Sequence, residues 1–317
     1  MATVNYLLPF FKDYTDGTSF HIYVKLLIAS EADLNKQDED GNTILHIAVK
    51  NNYIDTVKLV IDTATNATVN INIQNKHGNT PLHLAAWDHN TEILGILLKW
   101  DIDGVWIQNS GGNTIFHIVA ENNYTDISNM LVDFGLYGNL PNMYGNTPLH
   151  IAAMCGHVDI ARAYIQVCGD KYDIDIHVKN NNGNTPLHLA TQNNREAVVK
   201  LLIDAGADVD LQNNNKRTPI NYTDLNKTIV SMLIAAKANV NIQDKDGNTI
   251  LFNAVDTNNI DTVRMLLEVD ADIDLSSNGI TPLQHAIDKK YTEVARLILQ
   301  HMEFEDAEID VIMSRTA

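Results

Sequence analysis

Sulfur is scarce in this chain. Its 317 residues hold two cysteines, Cys155 and Cys168, too few for a disulfide framework, so a reducing compartment is expected. Also missing is any uninterrupted apolar run of the roughly eighteen residues that a membrane helix needs. The stretch from Met1 to Tyr14 has no basic region ahead of its short apolar segment Tyr6 to Phe11, so neither Sec export nor membrane insertion is expected. Basic residues are few: 22 Lys and Arg stand against 40 Asp and Glu, a formal net charge of −18. A surface of that sign repels phosphate backbones, which argues against a nucleic-acid partner and suits a well-solvated protein or one that meets a basic partner.

The spacings that carry metal or catalytic chemistry are absent as well. There is no His-x-x-x-His or Cys-x-x-Cys, and the glycines recur at intervals instead of clustering in a phosphate-cradling loop. Cys155 is followed by His157, the minimum for a thiol nucleophile, but no third, orienting residue is indicated. No metal, no cofactor and no catalytic residue is expected.

What the chain has is a repeat. Gly-Asn-Thr and an apolar helix start recur at Gly41-Asn42-Thr43-Ile44-Leu45-His46, Gly78-Asn79-Thr80-Pro81-Leu82-His83, Gly112-Asn113-Thr114-Ile115-Phe116-His117, Gly145-Asn146-Thr147-Pro148-Leu149-His150 and Gly183-Asn184-Thr185-Pro186-Leu187-His188. Weaker copies begin at Lys216, Gly247 and Gly279, and the eight threonines fall 31 to 38 residues apart. Such a period means a stack of supersecondary units, none of which buries its apolar face alone. Within a unit, Thr can cap the first helix, Pro at the first helical position surrenders no hydrogen bond, and Gly relieves the tight turn before it. A second helix follows with apolar residues three and four apart, as in Ala197, Val198, Leu201 and Leu202. The five histidines that share one repeat position, His46, His83, His117, His150 and His188, read as ties within their own turns.

A period near 33 with T-P-L-H opening a helix resembles the ankyrin-repeat family over residues 20 to 302, and Ala207-Asp208-Val209-Asp210 and Ala238-Asn239-Val240-Asn241 are similar to its A-D-V-N segment. The resemblance implies an all-α solenoid of helix-turn-helix units joined by β-hairpin loops, about nine repeats with the caps. Residues 1–37 are then an N-terminal capping repeat, with a second helix at Phe20 to Ile28 and a short helix near Val4 to Phe11. Residues 38–302 hold eight repeats, the sixth degenerate over about 213–243 and a candidate for a local bend. Extra residues at Thr63 to Thr68 and Cys168 to Tyr172 belong in loops. Residues 303–317 form an acidic tail in which Phe304, Ala307, Val311 and Ile312 lie at helical spacing.

A large aromatic off the core face is a common binding anchor. Trp87 follows Ala85-Ala86 at a position that, by the resemblance, faces a concave groove, with Asp88 beside it. Met154 and Cys155 hold the equivalent places two repeats on, and Gly156-His157 matches the family's loop between helices. The hairpin residues before the glycine, here His77, Met143 and Tyr144, also face partners in the family, and Trp106 replaces the Asn of the A-D-V-N segment. With units about 10 Å apart, these groups share a groove roughly 20 Å long, small at Ser110 and Gly111 and acidic at Glu39 and Asp40. The expected function is therefore binding of another protein by a monomeric cytoplasmic module, with an enzyme, or the recognition part of one, as the contrasting reading.

The Asn-rich sequence and the tail Glu303-Phe304-Glu305-Asp306-Ala307-Glu308 are similar to ankyrin effectors that intracellular bacteria deliver into the host cytosol by type IV secretion, where the partner is a host protein. The same tail reads equally as a cap, and a eukaryotic cytoplasmic scaffold is the alternative setting. Asn35, in Asp33-Leu34-Asn35 after Leu27, resembles an acceptor for asparaginyl hydroxylation.

Overall fold

The computed structural model describes residues 16–63, 69–166, 175–223 and 226–316. The expected helix at 4–11, and nearly all of the two insertions, lie outside them. The chain divides into two compact units, residues 1–148 and 149–317. Among the described residues both are all-helical, as expected of an ankyrin-type solenoid, with no strand and one isolated bridge between Ser277 and Ile280.

The first unit opens with α1 (Gly17–Ala29), capped by Asp16, whose carboxylate accepts the Ser19 N–H. Phe20, Val24 and Leu27 form its buried stripe. Three helix pairs follow in order: α2 (Ile44–Lys50) with α3 (Ile54–Thr63), α4 (Pro81–Trp87) with α5 (Thr91–Trp100), and α6 (Ile115–Asn122) with α7 (Thr125–Asp133). First helices stack on first helices, α2 on α4 on α6, and second on second, α1 on α3 on α5 on α7. Ala48, Ala85, Ala86 and Ala120 are fully enclosed at the first-helix seam, where a larger side chain would hold neighbours apart.

The second unit begins with α8 (Pro148–Cys155) and α9 (Val158–Gln166), followed by α10 (Pro186–Gln192) and α11 (Glu196–Asp204). Its sixth-repeat pair is a four-residue 3₁₀ turn, Pro219–Tyr222, and α12 (Lys227–Ala235). After it come α13 (Ile250–Asp256), α14 (Ile260–Leu267), α15 (Pro282–Asp288), α16 (Thr292–His301) and α17 (Asp306–Thr316). On α17 the buried residue is Ile309, while Phe304 and Val311 are exposed, so the tail's expected apolar stripe is not the face it uses. The reason is ionic: Arg296 on α16 takes Asp310 at 2.6 Å and Asp306 at 3.9 Å, and Ile309 lies on the same helical face as that pair.

One imidazole does the joining in five repeats. His46 Nδ1 accepts the Thr43 N–H at 3.1 Å and lies 2.9 Å from Thr43 Oγ1, while Nε2 lies 2.9 Å from the carbonyl of Asn79 in the next repeat. A backbone N–H can only donate and a carbonyl only accept, so the ring is neutral with its proton on Nε2. His83 reaches Asn113 in the same way, His117 reaches Asn146, His150 reaches Asn184 and His188 reaches Arg217, at 2.9–3.0 Å. All five rings are 0–1% exposed. Burial holds His83, His117 and His188 down at about 4 and lowers His46 in the same direction.

The hairpins are stitched by amide ladders. Gln74 Nε2 donates to Gly78 O within its own turn and to Gln108 O in the next, and Gln37, Gln108, Gln212 and Gln243 repeat the pattern. Gly78 (φ +73°) has no freedom to change, since a Cβ there would stand 2.4 Å from Ser110 N. Asparagines supply the left-handed residue after most first helices, at Asn52, Asn123, Asn194 and Asn258, because Asn tolerates that conformation better than other side chains. Much of the Asn-richness of the sequence is thus a backbone requirement.

Two outcomes test the imidazole ties. The unfolded chain protonates these histidines below about pH 6.5, while the folded chain resists until about 4. Their contribution is therefore present in full above 6.5 and is lost as pH falls through that window, by several kcal/mol in total (~1.4 per pKa unit for each ring). Thermal melts from pH 7.5 to 4.5 should show Tm falling; a rise, as relief of the −18 charge alone would give, rejects the assignment. In the sixth repeat Asn221 takes the histidine's place and satisfies Thr218, but its Nδ2 is buried without a partner. Asn221→His should raise stability by about 1 kcal/mol in denaturant titration, and no gain would mean that the Asn248 carbonyl is out of reach.

Candidate functional site

The fold uses up most of its polar groups, so the candidate surface is what the ladders leave over. In the first unit each hairpin closes on itself, as when Asn75 N–H donates to Asn79 O and Gly78 N–H to Asn75 O. Each tip then donates to the one before it: Lys76 N–H to Asp40 O, Ser110 N–H to His77 O and Met143 N–H to Gly111 O, at 3.0–3.1 Å. Backbone thus fixes the tips while their side chains go free of the core. Met143 and Tyr144 are 60% and 64% exposed, and His77, Ser110, Glu39 and Asp40 are exposed beside them in the row. The Tyr144 N–H is pinned by Asn142 Oδ1, which fixes the root of the most exposed aromatic.

Trp87 ends α4, 38% exposed, with Asp88 as its C-cap. A brace from the next repeat holds it: Tyr124 Oη donates to the Trp87 carbonyl at 3.4 Å, and the Tyr124 ring stacks on His89 at 4.0 Å. His89 Nε2 meets Asp126 at 2.8 Å, and this bond keeps the Asp126 carboxyl below its usual range. Desolvation pushes Asp88 the other way. Seven helical residues, about 10 Å at 1.5 Å per residue, separate Trp87 from the hairpin end of its repeat. Trp87 and the Met143–Tyr144 pair therefore stand at two borders of one face, with acidic groups at each.

Trp106 does not join them. It lies in the 3₁₀ turn Asp103–Trp106 at the root of the third hairpin, its ring tilted 5.5 Å from that of Phe116. Phe116 occupies the place of Leu45 and Leu82 in the other repeats, and its larger ring is admitted by Gly138, where a Cβ would stand 2.1 Å from Phe116 Cδ2. Gly138 has an ordinary backbone conformation, so the glycine is there for space alone. Asn35, at the start of the unit, is half-buried and its Oδ1 accepts the Asn70 N–H at 2.7 Å.

Met154 and Cys155 close α8 in the second unit, both half-buried. There Arg195 Nε donates to the Met154 carbonyl at 3.0 Å, and Tyr291 Oη reaches the Asp256 carbonyl at 3.4 Å. These cross-braces escaped sequence reading because Tyr124, Arg195 and Tyr291 share a repeat position but no chemistry beyond length and a donor. Among the described residues no group of three or more His, Cys, Asp or Glu is placed to hold a metal ion.

The structure's repeats agree with what the chain is similar to. A family model described as ankyrin repeats (3 copies) matches residues 19–105 and 222–311, one described as ankyrin repeats (many copies) matches 136–190, and a single ankyrin repeat matches 182–214. The unmatched stretches between them are the third repeat, with Trp106 and Phe116, and the start of the sixth. Curated relatives include the nuclear factor NF-kappa-B p105 subunit of Gallus gallus, 27% identical over 51% of this chain and 17% of that protein. A putative ankyrin repeat protein of fowlpox virus is 26% identical over 50% of this chain and 48% of the relative, and an L-asparaginase of Dirofilaria immitis is 31% identical over 45% and 24%. The chain thus spans less than half the length of each of these relatives.

The Phe116 and Gly138 fit can be checked by overfilling it. Gly138→Leu should cost about 1–3 kcal/mol and Phe116→Leu with Gly138→Leu should recover part of that, since the pair then matches the other repeats. Equal destabilisation in the single and the double variant would show that the two positions are not coupled.

Proposed function

The chain belongs to the ankyrin-repeat family, and on that footing we propose that it is a protein-binding module that grips its partner through the first unit, with Tyr144, Met143 and Trp87 as anchors. Tyr144 carries the reading. It is 64% exposed on a backbone held by two repeats at once, which spares a partner the cost of ordering it. His77 and Asp88 supply the polar rim, and Trp106 is a border residue whose ring Phe116 already engages. Met154 and Cys155 offer the second unit's counterpart, fixed by Arg195.

The acidic groups along this face and the −18 net charge favour a partner that presents apolar side chains among lysines and arginines. An enzymatic role gains no support from the likeness to the L-asparaginase, which covers 24% of that protein. For the tail, the carboxylates that would serve a delivery signal are engaged inside the chain: Asp306 and Asp310 face Arg296, and Glu308 accepts the Glu305 N–H. Capping is the reading these contacts favour over the signal of a bacterial effector. The setting, host cytosol or a eukaryotic cell's own, does not alter the binding face.

Capture from lysate followed by titration of the recovered partner tests the assignment. Trp87→Ala and Tyr144→Ala should each weaken binding by about tenfold or more, as central aromatic anchors do. Unchanged affinity in both variants, with melting temperature unaltered, would remove the first unit's face as the site.

A further inference from the structure

The sixth repeat breaks the pattern in a way that opens space. Other first helices run seven or eight residues, but here four residues of 3₁₀ turn, Pro219–Tyr222, stand in their place. Where the missing turn would pack on α13, the second unit has a cleft of about 870 Å³, bounded on one side by Arg217 and Asn221 and on the other by Asn253, Asp256, Thr257 and Asp261. That volume is within the usual range for a ligand site.

The chemistry of the walls selects the occupant. Arg217 is already satisfied, since its Nε bonds Asp244 Oδ2 at 3.1 Å and its guanidinium lies 5.6 Å over the Tyr222 ring. Asp244 has no side-chain exposure, so this pair is neutral and its carboxylate is spent. The carboxylates that remain open are Asp256, 54% exposed and accepting from His285 at 2.7 Å, and Asp261, 70% exposed and 3.7 Å from Lys227. Asn221 adds a buried Nδ2 that has no acceptor, a cost that an incoming carbonyl would remove. A cation and a carbonyl on one ligand describe a peptide unit with a basic side chain.

We propose that the cleft between the sixth and seventh repeats is a second binding site, which takes a lysine- or arginine-bearing segment of a polypeptide. Its residues lie wholly in the second unit, so the site stands independently of the face around Tyr144. It also gives the degenerate sixth repeat a use: the turn lost from the stack is the room the segment needs. An apolar side chain would leave both carboxylates and the amide unanswered, and an acidic one would meet Asp256 and Asp261 with like charge.

The test uses the full chain, amide NMR and three blocked amino acids as probes: N-acetyl-lysine methylamide, N-acetyl-arginine methylamide and N-acetyl-norleucine methylamide. The two cationic probes should give saturable shifts at the Asn221 side-chain amide and along residues 253–261, and norleucine should give none. Asp256→Asn with Asp261→Asn should weaken the cationic probes by about fivefold, the size expected for two exposed ion pairs. Asp261→Asn alone, at an exposed position, should weaken them about twofold. Asp159→Asn with Asp204→Asn removes the same charge elsewhere on the unit and should leave binding unchanged. Equal shifts from norleucine, or equal weakening by the Asp159 and Asp204 pair, would overturn the proposal.

Discussion

A neutral imidazole with one acceptor and one donor at opposite ends of a rigid ring is the interaction on which the stacking of repeats one to five depends. Threonine sets the helix start, but threonine alone ties nothing to the next unit. The histidine three residues on takes the threonine's own N–H at one end and gives a proton to the neighbouring carbonyl at the other, so a local cap becomes an inter-repeat bond. The rigidity matters because the span is fixed by the stacking distance of the helices. Asn221 copies the acceptor half at 2.9 Å and leaves its donor unpaired. Phe252 abandons both halves and turns its ring toward His285, and Gln284 bonds Asp288 in its own helix. Repeats six to eight therefore hold together by apolar packing and the amide ladders, with the Arg217–Asp244 pair as a local substitute.

That dependence explains which parts of the molecule could be read from residues alone. Whatever is fixed by short-range chemistry was legible: the Thr-Pro start, the glycine at the turn, the apolar spacing of second helices, and the failure of the sixth repeat at Asn221. The role of the histidines was legible only in half, as a tie within the turn, because the carbonyl each one reaches lies about thirty residues on. Pairings across repeats were not legible at all. Phe116 and Gly138 look like two unrelated departures until the ring is seen lying where a side chain at 138 would go. Trp106 looked like a member of the binding face because it is large and out of pattern, yet its place is set by Phe116. In the tail, helical spacing suggested Val311 and Ile312, whereas the pairing of Arg296 with Asp310 turned Ile309 inward.

The candidate sites follow from the same division between what the fold consumes and what it leaves. Hairpin backbones are bonded within and between repeats, so their tips are held at regular places whatever side chains they carry. Selection at His77, Ser110, Met143 and Tyr144 is then free of folding constraints, and a partner can be matched there without disturbing the ladder beneath. First-helix ends are less free. Trp87 must keep the backbone conformation that Tyr124 braces, although its indole is spent on nothing the fold needs.

Family matching lapses at two places, the third repeat and the start of the sixth, and the physical content of the two lapses differs. In the third repeat the deviation is compensated: Phe116 and Gly138 exchange volume, α6 and α7 are complete, and His117 keeps its bond to Asn146. In the sixth nothing refills the space of the missing helical turn, and a donor stays buried without an acceptor. A repeat protein made of near-identical units tolerates an irregular one because each unit contacts only its neighbours, so the cost stays local. An uncompensated cost persists where something else uses the irregularity, and the open carboxylates of Asp256 and Asp261 on the far wall indicate that the user is a cation carried on a polypeptide.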